Sequence, residues 1–207
     1  MSNPDEDLKG SVVRLWHLIE ERLKPGADRE RVDRRIWDLF GERWCVMFTD
    51  LAGFSRQVAA FGIIHFLQII HEQKRLLLPA VADNDGILVK VEADSFLILF
   101  KDPKKAVRAA IAMQRASIGY NRDRAPEDRV PLCVGLGFGE MLRIGDIDVF
   151  GREVNSASKL GEDRATAGEI LITDAVRTAI ADMQGVGFER YEGPEVAGSE
   201  INWRLRY

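Results

Sequence analysis

The chain has 207 residues, 46% of them apolar and 30% charged, with a formal net charge of −4. That length suits one domain, or one domain with a short extension, and the balance is that of an ordinary soluble globular protein. The charge supplies no basic field to attract nucleic acid or an anionic membrane surface.

The first residues, Met1-Ser-Asn-Pro-Asp-Glu-Asp, are acidic and polar, the opposite of a secretory leader. The greasiest stretch, residues 61–70, is interrupted by His65 and Gln68 and is far shorter than the roughly 18 residues a membrane helix needs. Cys45 and Cys133 both lie in apolar, strand-like runs with no C-x-x-C pattern, so buried free thiols in a reducing, cytoplasmic setting are expected.

Residues 5–23 carry Leu8, Val12, Leu15, Trp16, Ile19 and Leu23 at helical spacing, which predicts an amphipathic helix. Lys24-Pro-Gly-Ala27 is a turn, and Asp28 is placed to cap a second helix running to about Phe40. Residues 44–49 form an apolar run short enough for a buried strand, ending on Asp50. Residues 54–82 read as helical with a break near Gly62, and Asp83-Asn-Asp-Gly86 is a turn. Residues 87–91 and 95–100 predict a β-hairpin closed by Glu92-Ala93-Asp94. A further amphipathic helix is expected over 103–121, then a polar loop to Arg129, then a strand over 131–138 whose glycines thin one face. Gly135, Gly137 and Gly139 are spaced G-x-G-x-G inside that strand, which is not a dinucleotide fingerprint. A helix over 152–161, a strand over 169–173, a short helix over 174–182 and closing strands near 186–191 and 201–206 complete the chain. The order β, α, β, β, α, β predicts an α+β, ferredoxin-like antiparallel sheet backed by helices, with an N-terminal helical extension. In such a sheet the first strand is expected beside the strand that follows the first helix.

Asp50 ends a buried strand and opens a Gly-containing turn into a helix, which suits either a helix cap or a cation ligand beside an anion-binding turn. Asp94 at a hairpin tip is by itself an ordinary turn residue. If the two meet, their repulsion calls for a proton or for metal ions, and two divalent cations about 3.5–4 Å apart can activate a hydroxyl and neutralise phosphates.

At these residues the sequence resembles the class III nucleotidyl (adenylate/guanylate) cyclase catalytic domain. Phe48-Thr-Asp-Leu-Ala-Gly-Phe-Ser55 looks like that family's F-x-D-x-x-G-F-[ST], and Lys90-x-x-x-Asp94 like its K-x-x-G-D. Gly139-Glu140 resembles the end of its R-I-G-[IL]-x-x-G-E strand. Asp148-Val-Phe-Gly-Arg-Glu-Val-Asn155-Ser-Ala-Ser-Lys159 is similar to D-x-[WFY]-G-x-x-V-N-x-A-x-R, and Gly168-Glu-Ile-Leu-Ile-Thr173 to G-E-I-L-[VI]-[ST]. Five blocks in order, from about Arg43 to Thr173, make the resemblance specific. It divides the chain into an extension over 1–42 and a cyclase homology domain over 43–207.

The resemblance implies conversion of ATP to 3′,5′-cyclic AMP and pyrophosphate, a lyase reaction, with GTP as the alternative nucleotide. Asp50, Asp94 and the Leu51 backbone would hold two Mg²⁺ or Mn²⁺ ions. Lys90 and Asp148 would read the purine edge, a pair that suits adenine because an ammonium can donate to a ring nitrogen while a carboxylate accepts from the amino group. Gly53, Phe54 and Ser55 would hold phosphates through backbone N–H groups, Asn155 would orient the ribose, and Lys159 would contact the reacting phosphoryl group. It also implies a homodimer with two sites, each taking metal-binding residues from one copy and base-reading residues from the other.

The chain departs from the family at four places. Lys159 replaces an arginine and lacks its bidentate fork, Ala93 replaces a glycine, residues 140–148 are shorter than the usual dimerisation arm, and Arg204 is a weak substitute for a basic residue facing terminal phosphates. The alternative implied is a degenerate cyclase-homology module that binds nucleotide or cation and regulates without turnover. His17, His65 and His71 show no ligand spacing, Ser55 lacks a G-x-S-x-G context, and no GG[DE]EF segment is present. Trp16, Trp37, Trp44 and Trp203 sit in apolar patterns that predict core or interface.

Overall fold

A computed structural model describes residues 10–53 and 59–207. Helices α1 (Gly10–Leu23) and α2 (Arg29–Phe40) form an antiparallel hairpin. Asp28 caps α2 by accepting a hydrogen bond from the Arg31 backbone at 3.0 Å. The pair is laced by Arg22–Asp33 at 2.6 Å and Arg35–Glu21 at 2.8 Å. Leu15, Leu18, Val32, Ile36 and Phe40 pack together and against Ile144 and Leu142. Trp16 and Trp37 remain largely exposed, whereas Trp44 is buried.

The main body is one mixed sheet. Strand β1 (Gly41–Leu51) lies between β3 (Ser95–Phe100) and β4 (Leu132–Ile144), antiparallel to both. Beyond β3 comes β2 (Ile87–Glu92), and beyond β4 come β6 (Ile170–Thr173), β8 (Asn202–Arg206) and β7 (Gly187–Arg190). The order β2-β3-β1-β4 is the ferredoxin-like arrangement expected from the sequence, extended by three further strands. One expectation is corrected: the neighbour of β1 is β3, not β2, because the hairpin folds β3 back into the gap between them.

Both faces of β1 are covered, which is why its sequence is continuously apolar instead of alternating. On one face Cys45 and Met47 join a core with Leu77, Val81, Ala106, Val107, Ala110 and Met113, contributed by α3 (Ile63–Ala82) and α4 (Pro103–Asn121). Gly62, in the left-handed region at φ 84°, sets the break before α3. On the other face Trp44 and Val46 pack with Leu97, Leu99, Met141, Val154 and Ala157. Burial raises both thiols, Cys133 to about 12, so neither is poised for redox chemistry.

Helix α5 (Arg152–Ser158) continues into a π-helical turn over Lys159–Arg164, a local widening that the sequence pattern does not signal. This segment lies directly on the glycines of β4. A Cβ on Gly139 would sit 2.9 Å from Glu153 Cγ, and one on Gly135 would meet the Ala157 carbonyl and the Gly161 backbone. The glycine lane thus lets a helix approach closer than any side chain would allow. Strand β4 also runs six residues past the predicted Phe138, turns at Gly145 (φ 57°) and pairs with β5 (Asp148–Phe150). The short helix α6 (Asp174–Ala179) stops three residues before its predicted end.

Candidate active site

Two constellations form at one end of the sheet. In the first, Asp50 near the end of β1 meets Asp94 in the β2–β3 turn. Ser95 Oγ donates to Asp50 Oδ1 at 3.4 Å, the Phe96 amide donates to Thr49 Oγ1 at 3.3 Å, and the buried Gln73 of α3 donates to the Asp94 carbonyl at 2.6 Å. These three ties fasten the hairpin tip to β1 and α3. Ala93, where the family has glycine, takes the left-handed conformation at φ 51°, so the tip keeps its turn with a residue that is strained in it.

Asp94 is only 7% exposed, and among the described residues neither carboxylate has a basic partner within ion-pair distance. Burial, and next the charge of Asp94, push Asp50 up to about 7. Burial also raises Asp94, and Glu162 adds to the rise at both. Two crowded, unneutralised carboxylates are a fitting donor set for a hard divalent cation whose remaining ligands are backbone, phosphate or water oxygens. Among the described residues no group of three or more His, Cys, Asp or Glu is arranged to hold a metal.

In the second constellation, Lys90 of β2 bonds Asp148 of β5 at 2.9 Å, across 58 residues of sequence, and lies 3.1 Å from Glu92. Asp148, then Glu92, hold the Lys90 ammonium above its usual value. Asp148 is oriented by the Val149 amide at 2.9 Å. Phe48, Ser95, Leu97 and Glu162 complete the wall of a pocket around this pair. Ser95 touches both constellations.

Asn155 and Lys159 both project into solvent from α5 and its π-helical continuation, and Lys159 pairs with Asp163 at 2.6 Å. Beneath them Glu153 accepts from the Phe138 amide at 3.1 Å and from Thr173 Oγ1 at 2.8 Å, tying α5 to β4 and β6. Gly53 adopts φ 78° in the turn after β1, whose Ala52 amide donates to the Pro131 carbonyl at 2.9 Å. Leu51 is buried at the end of β1. Phe54 and Ser55 lie outside the described residues. Arg204 is committed to Glu169 at 2.6 Å and Glu189 at 3.4 Å. His65 has an acidic neighbour that spacing did not reveal: its ring lies 2.8 Å from the Glu127 carbonyl and 4.0 Å from Asp128. His17 and His71 are exposed.

Sequence reasoning missed Gln73, Glu153 and Glu162. Each is a polar residue on a helix, indistinguishable by period from a solvated one. Only the occurrence of Glu153 and Glu162 on either side of the Asn155–Lys159 block offered a hint.

Known proteins share the sequence pattern and the fold. Residues 41–204 match the family described as the adenylate and guanylate cyclase catalytic domain. The chain is 31% identical over 134 residues, 65% of its length, to "Serine/threonine-protein kinase pkn2" of Myxococcus xanthus, and 30% identical over 144 residues, 69% of its length, to "Putative adenylate cyclase 3" of Rhizobium meliloti. These matches cover 16% and 24% of those proteins, so the chain spans a quarter or less of the curated relatives it matches. The structure of an adenylate/guanylate cyclase/hydrolase from Silicibacter pomeroyi superposes with a TM-score of 0.68 at 25% identity, covering 80% of this chain and 96% of that one. The adenylyl cyclase CyaB of P. aeruginosa gives a TM-score of 0.66 at 21% identity, over 81% and 96% of the two chains. With a matching profile over most of its length and the same fold, the chain belongs to the adenylate and guanylate cyclase catalytic domain family.

Proposed function

We propose that the protein cyclises ATP to 3′,5′-cyclic AMP and pyrophosphate, at sites completed by a second copy of the chain in the cytoplasm. The observation that carries this reading is that one chain holds both halves of such a site, the Lys90–Asp148 pair lining a pocket and the Asp50–Asp94 pair without a basic partner among the described residues. Asp50, Asp94 and the Leu51 backbone would hold two Mg²⁺ or Mn²⁺ ions, which would supply charge neutralisation at the phosphates. Lys90 donates to adenine N1 and Asp148 accepts from the 6-amino group. The ammonium's three N–H donors and the carboxylate's spare lone pairs let both do so while they stay paired.

The backbone of Gly53, Phe54 and Ser55 cradles phosphate, Asn155 orients the ribose, and Lys159 leaves Asp163 to meet charge developing on the phosphoryl oxygens. The 3′-hydroxyl oxygen then bonds to the α-phosphorus, its proton passes to solvent water, and the bond to pyrophosphate breaks. As in other phosphoryl transfers, positioning and electrostatics do most of the work. A second copy is supported by the apolar face that α3 leaves uncovered, where Ile63, Ile64 and Leu67 are 53–76% exposed. Among the described residues no helix is long and apolar enough to cross a membrane.

A second reading, nucleotide or cation binding without turnover, draws support from one observation: the residue at the family's arginine position is a lysine already paired with Asp163. Incubation with ATP or GTP and Mn²⁺, with mass detection of cyclic product, separates the two. The cyclase reading expects cyclic AMP, its loss in Asp50→Ala and faster turnover in Lys159→Arg. No product from either wild type or Lys159→Arg at high enzyme concentration rejects it.

A further inference from the structure

The pocket around Lys90 and Asp148 contains a third acid that neither the family motifs nor the sequence pattern singles out. Glu162 reaches it from the π-helical turn, whereas Lys90 and Asp148 come from β2 and β5. Its carboxylate is held by the Ser158 hydroxyl, one helical turn earlier, and among the described residues it has no basic partner. The turn that carries it is fixed in place, because Gly161 packs on Gly135 and Phe48 so closely that a Cβ there would lie 2.8 and 2.9 Å from their backbone atoms. Glu162 is therefore an aimed acceptor rather than a loose surface acid.

The charge balance of the pocket says what such an acceptor is for. Lys90, among the described residues the one cation lining the cavity, is already shared between Asp148 and Glu92. Adding Glu162 gives three carboxylates to one ammonium, a wall that favours a ligand rich in N–H donors. Adenine carries two N–H bonds on its 6-amino group, and Asp148 needs only one of them. Guanine places the lone pairs of O6 at the same position. A carboxylate there accepts from the amine and repels the oxo group.

We propose that Glu162 is a specificity-determining residue of this pocket, taking the second amino hydrogen of adenine and excluding 6-oxopurines. This rests on the adenine-site reading given above, and it adds a discriminating residue outside the Lys90–Asp148 pair. The field of Glu162 at both Asp50 and Asp94 agrees with its standing between the two constellations.

The test is competitive displacement of 3′-O-(N-methylanthraniloyl)-2′-deoxy-ATP, whose blocked 3′-oxygen prevents cyclisation, by ATP and by GTP in the presence of Mn²⁺. It uses the full chain and the variants Glu162→Gln and Ser158→Ala. Wild type is expected to favour ATP by about tenfold or more. In Glu162→Gln the amide can donate to O6, so the ATP-to-GTP ratio falls by about tenfold through tighter GTP binding. Ser158→Ala, which frees the carboxylate without removing it, lowers the ratio by a smaller factor. Equal binding of the two nucleotides by wild type overturns the proposal, and so does a ratio in Glu162→Gln that rises or stays within twofold of wild type while the melting temperature is unchanged. Cyclic product is measured in parallel: its absence counts against turnover, while the displacement ratios still decide the role of Glu162.

Discussion

The close seating of α5 on β4 makes Gly135→Ala the most informative single perturbation. Its new methyl carbon would sit 2.8 Å from Gly161 Cα and closer still to the Ala157 carbonyl oxygen and the Gly161 amide nitrogen. Carbon contacts are comfortable at about 3.5–4.0 Å, so the helix and strand must separate by about 1 Å. All the colliding atoms are backbone, so no side-chain rotation relieves them. Overpacking of this kind costs about 3 kcal/mol, the upper part of the usual range. For a chain of this length that is roughly 6–12 °C in melting temperature.

The displaced segment carries Lys159, and if that lysine meets the phosphoryl group as proposed, a 1 Å misplacement costs about 100-fold in turnover. Gly119→Ala in the last turn of α4 is the matched control: no atom lies within 4 Å of its Cβ, and the same substitution there stabilises by about 0.5 kcal/mol. Thermal melts of both variants, with cyclic-nucleotide assays, check the reasoning. A Gly135→Ala protein that melts within 1 °C of wild type refutes it.

The carboxylate pair predicts a pH effect. A carboxyl whose pKa is raised on folding binds more protons folded than unfolded, so apo stability falls as pH climbs from about 4 toward about 7 and stays low above it. With solvent access discounted, the loss is about 2 kcal/mol. Asp50→Asn should flatten the drop between pH 5 and 8, and Mn²⁺ should reverse it in wild type only; equal pH slopes for the two proteins would contradict this. Asp163→Asn removes an exposed i,i+4 pair worth about 0.3–0.5 kcal/mol. Its melting temperature should barely move while KM for ATP falls by about twofold, and a loss above about 2 kcal/mol would show that the pair is structural.

Much of the sheet was legible because its signals are local. The apolar run ending at Asp50, the turn at Asp83–Gly86 and the tight hairpin at Ala93 each declare themselves within a few residues. The G-x-G-x-G pattern correctly signalled a thinned strand face, although not what fills the space. The rest depends on partners far away in sequence. Strand β4 continues through Glu140 and Arg143, whose polar side chains interrupt the apolar run and conceal its length. Gln73 reaches a carbonyl 21 residues away, and Glu153 reaches an amide 15 residues away, with no periodic trace of either. The widening at Lys159–Arg164, which turns Glu162 into the pocket, has no compositional mark.

The β2–β3 hairpin has a consequence for communication between sites. Lys90 in β2 and Asp94 in the turn stand four residues apart on one hairpin, which Gln73 and Ser95 bolt to its neighbours. In the two-copy arrangement proposed above, one belongs to the purine edge of one site and the other to the acidic edge of its twin. The hairpin is then a shared lever: a base gripped at one end adjusts the acid at the other. Linkage makes the effect reciprocal, so the two sites of such a pair would sense each other's occupancy without any further machinery.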